Sequence, residues 1–213
     1  ELEETRSGLS FNAIDRLARL TRQLEGMTQK AMEAELWDGV VRKGEAHDNK
    51  ALSATGTALV ASGVAQKASL ALAQLEAEMA SLSNAGENGV IHMTRDVAAL
   101  LSSTGQIFQH GDAVAHLQTV SGTPVIIGSG YSGNGPTGAT GAAASSTNKW
   151  IYGTGALKVY LGEVDVVNDN LAQAYDVSGN TNDMRIKAIR PAAVYFDTSI
   201  HLAVRVDLSV SAI

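Results

Sequence analysis

Few residues in this chain have the types and spacing that chemistry needs. Gly128-Ser129-Gly130-Tyr131-Ser132-Gly133 matches G-x-G-x-x-G and follows an apolar run, Val125-Ile126-Ile127. A dinucleotide site of that form needs a helix N-terminus directly after the glycines, to hold the pyrophosphate. Asn134-Gly135-Pro136-Thr137-Gly138 stands there instead and cannot start a helix at that point, so the segment reads as a glycine-rich turn. The histidines are His47, His92, His110, His116 and His201. None forms an H-E-x-x-H pattern, and no two are four apart on a helix, as a zinc-binding helix requires. His110 and His116, with Asp112 between them, make the one cluster, and surface or hydrogen-bonded histidines are its commoner explanation. His92 lies in an apolar run and reads as a core residue with satisfied nitrogens.

No G-x-S-x-G elbow presents a serine nucleophile. Glu33 and Glu35, and Glu76 and Glu78, are two apart on helical segments, so they point to different faces and read as solvated charges. Glu163 and Asp165 fall on one face of an expected strand, with nothing adjacent to separate their pKa values into an acid and a base. Cysteine is absent, which removes disulfides, thiolate metal sites and a cysteine nucleophile. The residues therefore offer no catalytic, cofactor-binding or metal-ligating set, and the expectation moves toward structure or binding.

Bulk composition agrees with that direction. The chain has 213 residues, 45% hydrophobic and 18% charged, with 21 glycines, 3 prolines and a formal net charge of -6. That length can bury a substantial core. A free-standing nucleic-acid binder would carry a basic patch, and none is visible, although a wall enclosing nucleic acid needs none. No apolar run approaches the roughly 20 residues that span a bilayer. The acidic start, Glu1 to Arg6, is no signal peptide, and the first residue is not methionine. The chain is expected to start at a processing site or to be a piece of something longer.

The elements that must position these residues change character halfway along. From Ser10 to about Val41, Ile14, Leu17, Leu20, Leu24, Met27, Ala31, Ala34 and Trp37 recur in steps of three and four. They predict one long helix of about thirty residues, roughly 45 Å, with Ser10 as its cap. Residues 44–56 read as a surface loop. A second helix is expected from Thr57 to Leu82, with Leu72, Leu75, Met79 and Leu82 on one stripe. Gly89 to Met93 reads as a short buried strand, and Thr94 as the cap of a helix reaching Leu101. Thereafter the period is two: Leu157, Val159, Leu161; Met184, Ile186, Ala188; and Leu202, Val204, Val206, Leu208, Val210. Two loops separate these strands, residues 128–148 and 168–183. The first, rich in Gly, Ala, Ser and Thr, is expected to be mobile or held only by partners. The fold class is α+β, with long helices packed on antiparallel sheet.

Five segments in this order resemble the Hong Kong 97-type capsid proteins of tailed phages and encapsulins. Glu35-Leu36-Trp37-Asp38-Gly39 is similar to the acidic-glycine end of that family's spine helix. Gly89-Val90-Ile91-His92-Met93-Thr94-Arg95-Asp96 is similar to its strand and helix start, and Gly122-Thr123-Pro124-Val125-Ile126-Ile127 to its G-x-P-V strand. Trp150 to Gly153 with Leu157 to Leu161 resemble its paired strands. Met184 to Phe196 and His201 to Leu208 occupy the place of its closing strands. The wording of Ala192 to Asp197 and of His201 to Leu208 is nearest to actinobacterial siphophage capsids.

The resemblance implies a non-enzymatic subunit that self-assembles into hexamers and pentamers of an icosahedral virion enclosing double-stranded DNA. Its partners would be further copies of itself, portal and decoration proteins, and packaged DNA contacted non-specifically, with no membrane. It would be built in the host cytoplasm. Residues 1–88 would hold the spine and peripheral helices, 89–183 an axial-domain-like region, and 184–213 closing strands returning to the peripheral domain. Glycine-rich loops such as 128–148 would reshape between unlike neighbours. The family's N-terminal arm and extended hairpin loop have no counterpart before the spine-like helix, and no residue is assignable to its lysine–asparagine cross-link. An encapsulin-type nanocompartment shell and an uncharacterised α+β enzyme are the alternatives.

Overall fold

The computed structural model describes residues 2–7, 13–39, 51–82, 89–110, 116–167, 175–176 and 183–209. In chain order the elements are β1 (Leu2–Ser7), α1 (Ala13–Asp38), β2 (Ala58–Leu59), β3 (Gln66–Lys67), α2 (Ala68–Leu82) and β4 (Val90–Thr94). Then come α3 (Arg95–Ser103), β5 (Ile107–His110), β6 (His116–Thr119), β7 (Pro124–Gly128), β8 (Asn148–Thr154) and β9 (Leu157–Leu161). The last are β10 (Asp165–Val167), β11 (Tyr175–Asp176), β12 (Asp183–Ile189), β13 (Ala192–Phe196) and β14 (His201–Asp207). The class is α+β, as the change of period predicts.

The chain divides into two compact units: residues 1–31 with 159–193, and residues 32–158 with 194–213. The border crosses α1 between Ala31 and Met32. These units cut the chain differently from segments 1–88, 89–183 and 184–213, because β14 pairs with β8 instead of leaving the region of residues 89–158. In the first unit β12 is central. It pairs antiparallel with β1 along six residues, and with β10 and β11. Strand β1 was not legible: Glu3, Glu4 and Arg6 read as an acidic, polar start, and only pairing with a distant partner makes such a segment a strand.

The second unit holds one sheet in the order β2-β14-β8-β4-β7-β6-β5, with β3 also on β14. It is mixed, not antiparallel as expected. β4 runs parallel to β7, and β14 parallel to β2 and β3. Alternation along the central strands feeds two cores. Ile91, Met93, Ile151, Leu202, Val204 and Val206 pack with Leu72, Leu75 and Met79 of α2 and Val97 and Leu101 of α3. Trp150, Tyr152 and Ala203 point the other way and pack with Leu36, Trp37, Leu52 and Tyr131. The face of β14 opposite Leu202, Val204 and Val206 is thus also buried at Ala203.

α2 is shorter than its periodicity suggests. α1 has 26 residues, about 39 Å. Its stripe is buried at Leu20, Leu24 and Trp37, but Met27 is 54% exposed. The Ser10 cap lies outside the described residues. α2 starts at Ala68 instead of Thr57, since Gly63 takes a positive φ of 76° and residues 58–59 and 66–67 pair with β14. Leu82, expected on the buried stripe, is 47% exposed. Thr94 occupies the N-cap position of α3 but makes no side-chain cap. Its hydroxyl donates to the Asp96 carboxylate, which accepts the Val97 amide at 3.0 Å. Residues 51–53 of the expected surface loop are buried.

Gly26, exposed on α1, has nothing within 4 Å of the place where a Cβ would stand. Gly26→Ala is expected to stabilise the protein by about 0.5–1 kcal/mol through lower unfolded-state entropy. A urea unfolding midpoint that stays put or falls would contradict this.

Candidate functional site

The strongest convergence of named residues in the second unit lies where α1 ends against the loop of residues 128–148. Gly39, at φ 65°, closes the helix by donating its amide to the Glu35 carbonyl at 2.9 Å. The next two carbonyls, of Leu36 and Trp37, accept the amides of Leu52 and Ser53, each at 2.9 Å. The helix end is therefore satisfied by a segment folded back onto it, which draws Leu52 into the interior.

Trp37 is fully buried, with its ring centre 4.5 Å from Tyr131 and 4.9 Å, edge-on, from Tyr152. Its indole N–H donates to the Asn134 carbonyl at 3.0 Å, and the Tyr152 hydroxyl donates to the same oxygen at 2.9 Å. The Asn134 side-chain oxygen accepts the Ala144 amide at 3.0 Å. Trp150 donates to the Gly141 carbonyl at 3.0 Å. Thr137 donates through both its amide and its hydroxyl to the Ser53 carbonyl, at 2.8 and 2.9 Å. A loop expected to be mobile is thus pinned at both ends and in the middle.

Its glycines serve close approach. A Cβ on Gly135 would lie 2.2 Å from the Trp150 ring, and one on Gly128 would lie 2.5 Å from the Tyr131 ring. The backbone therefore comes close to an aromatic ring at each of these two glycines. The Gly130 amide at 2.7 Å and the Ser129 hydroxyl at 3.1 Å both donate to the Glu33 carboxylate. This acidic side chain occupies the donors that a phosphate would require. The turn reading holds, and Glu33 is an anchor instead of a solvated charge. Glu76 behaves likewise, accepting from the hydroxyls of Thr119 and of Ser121, the latter at 3.2 Å. Neither role was legible, because the partners lie tens of residues away. Glu78 is exposed. Glu163 and Asp165 do not share a strand, since β10 begins at Asp165.

The histidines separate. His92, on β4, is fully buried and satisfied, as its apolar run predicts. Thr154 donates its hydroxyl to the Gly155 carbonyl at 3.0 Å, so it accepts from His92 Nε2–H at 2.9 Å. His92 Nδ1 then accepts the Tyr131 hydroxyl at 3.0 Å. Burial holds the His92 pKa down at about 3. Burial first, and then the Glu33 charge, raises that of Tyr131; burial and then Asp38 raises that of Tyr152. His201 Nε2 donates to the Leu52 carbonyl at 3.1 Å and lies 3.0 Å from the Thr57 hydroxyl. His110 and His116 face each other across a hairpin. His47 and Asp112 lie outside the described residues. Among the described residues no three His, Cys, Asp or Glu side chains converge on a metal position, and no helix is long and apolar enough to cross a membrane.

An open groove of about 430 Å³ lies elsewhere in this unit, lined by Arg95, Ala98, Ala99, Ser102, Ile107, Leu117 and Ile127. It is largely apolar and brings no titratable pair together. No protein-family model matches this chain, and no curated protein matches it either.

Two outcomes follow from this geometry. Gly135→Ala is expected to cost about 1–3 kcal/mol by overpacking against Trp150, read as a lower urea midpoint; an unchanged midpoint would mean that the loop does not rest on that ring. The folded-state pKa of His92 is depressed, so the unfolded chain binds the extra proton between about pH 6.5 and about pH 3. Stability linked to His92 is therefore full above the unfolded value and falls with pH by up to about 1.4 kcal/mol per unit. In His92→Gln, less stable at neutral pH, the slope of stability against pH in that window should be smaller by up to one proton. An identical slope in both proteins would refute the assignment.

Proposed function

We propose that this chain is a structural subunit of an icosahedral viral shell, a major capsid protein with the Hong Kong 97-type fold of tailed phages. The observation that carries the reading is the order of the resembling segments and the structural part each one plays. Glu35 to Gly39 ends the longest helix. Gly89 to Asp96 forms a buried strand and the start of the next helix. Gly122 to Ile127 contributes the parallel partner of that strand. Trp150 to Gly153 belongs to the central strand β8, and His201 to Leu208 supplies its antiparallel neighbour. The unit of residues 1–31 and 159–193 would be the peripheral domain, and the unit of residues 32–158 and 194–213 the axial domain.

A second observation supports assembly. Val159, Tyr160 and Leu161, adjacent on β9, are each about half exposed. The described pairing of β9 is with β13 alone. Three consecutive exposed apolar residues on a strand are a liability in an isolated chain, and contact with a neighbour would remove it. In this reading the protein turns over no substrate. It binds copies of itself, meets portal and decoration proteins, touches packaged double-stranded DNA without sequence preference, and resides in the virion after assembly in the host cytoplasm.

Electron microscopy of the source particle, together with size-exclusion chromatography of the full-length protein, tests this. Closed shells of uniform diameter containing DNA are expected. Shells containing protein would make the chain a nanocompartment subunit, and a compact monomer or dimer at high concentration would refute the shell.

A further inference from the structure

The hairpin of β5 and β6 ends in a ladder pair, with His110 directly opposite His116. Opposed residues of an antiparallel pair project to the same face, with Cβ atoms about 4.5–5.5 Å apart. Both side chains are exposed, and their ring centres stand 5.5 Å apart at an interplanar angle of 70°. We propose that this pair is a two-histidine chelating site for a divalent transition ion of the zinc, nickel or copper class.

The argument is one of distances. An imidazole nitrogen binds such an ion at about 2.0–2.1 Å, which places the ring centre about 3.2 Å from the metal. Two rings on a tetrahedral ion then have centres about 5.2 Å apart, so the spacing observed across the ladder is within a few tenths of an ångström of the bound one. The strands set that spacing before any ion arrives, and both side chains are exposed. Little conformational freedom is lost, which is what preorganisation contributes to affinity.

The donor type selects the ion. Imidazole suits zinc, nickel and copper, with copper tightest in the usual order. Calcium and magnesium prefer oxygen ligands and are not expected here. Among the described residues no third His, Cys, Asp or Glu side chain converges with the pair. A bound ion ties the strands together at the end of the hairpin, so its binding free energy adds to the stability of that element. The site stands independently of the shell reading, since it rests only on the hairpin.

Isothermal titration of the intact protein with nickel chloride at mildly alkaline pH is the test, joined to electron paramagnetic resonance of the copper-loaded form. One ion per chain is expected, with copper coupled to two imidazole nitrogens and no competition from calcium. Losing even a partner of a metal ligand commonly costs about tenfold in affinity, so His110→Ala and His116→Ala should each lose at least that. His47→Ala should bind as the parent does. Circular dichroism checks that the variants remain folded, which replacement of exposed side chains permits. No binding by the parent, binding by either hairpin variant as tight as the parent's, or equal affinity for calcium would each overturn the proposal.

Discussion

The carbonyl oxygen of Asn134 accepts both the indole of Trp37 and the hydroxyl of Tyr152. These donors come from the end of α1 and from the central strand β8, and the acceptor belongs to the loop that covers them. A buried indole N–H or phenol without its acceptor costs about 1–3 kcal/mol, so none of the three segments can leave without penalising the other two. The rest of this core follows. Tyr131 and Tyr152 pack against Trp37, Gly135 lies on Trp150, and Glu33 reaches from the last turns of the helix to hold Ser129 and Gly130.

Glycine has a different part here from the one its abundance suggests. Residues 128–148 contain enough Gly, Ala and Ser to look unable to bury anything. Yet the missing Cβ atoms are what let backbone approach aromatic rings, and the rings provide the buried area, some 150–250 Å² for each such side chain. Under the shell reading, this loop is therefore a fixed part of the axial unit. In that reading, adaptation to unlike neighbours would have to come from other surfaces. His92 shows the same economy with polar atoms. Its two nitrogens sit inside a chain of donors running from Tyr131 to the Gly155 carbonyl, each acceptor used once, with no charge left to solvate.

Much of the local structure was legible. The three-and-four spacing of Leu20, Leu24 and Trp37, the burial of His92 and the alternation of Leu202, Val204 and Val206 are short-range patterns, and backbone geometry converts such patterns directly into elements. Misreadings arose where a distant partner overrode the local preference. Residues 58–59 and 66–67 fall in a segment that looks helical but pair with β14. Met27 and Leu82 continue their stripes past the surfaces that would cover them, and Leu52 is drawn inward by orphan carbonyls of α1.

The sequence alone determined the class of the fold, the places of α1 and α3, the strand faces that feed the larger core, and the unsuitability of Gly128 to Gly133 as a phosphate loop. All of these depend on residues within a few positions of one another. Tertiary structure decided the mixed order of the sheet, the anchoring of the glycine-rich loop by Glu33 and Trp37, and the opposition of His110 to His116. The sheet order and the anchoring of the loop depend on residues far apart in the chain, as Ala58 and Leu202 are, and the composition of either partner carries no record of the other.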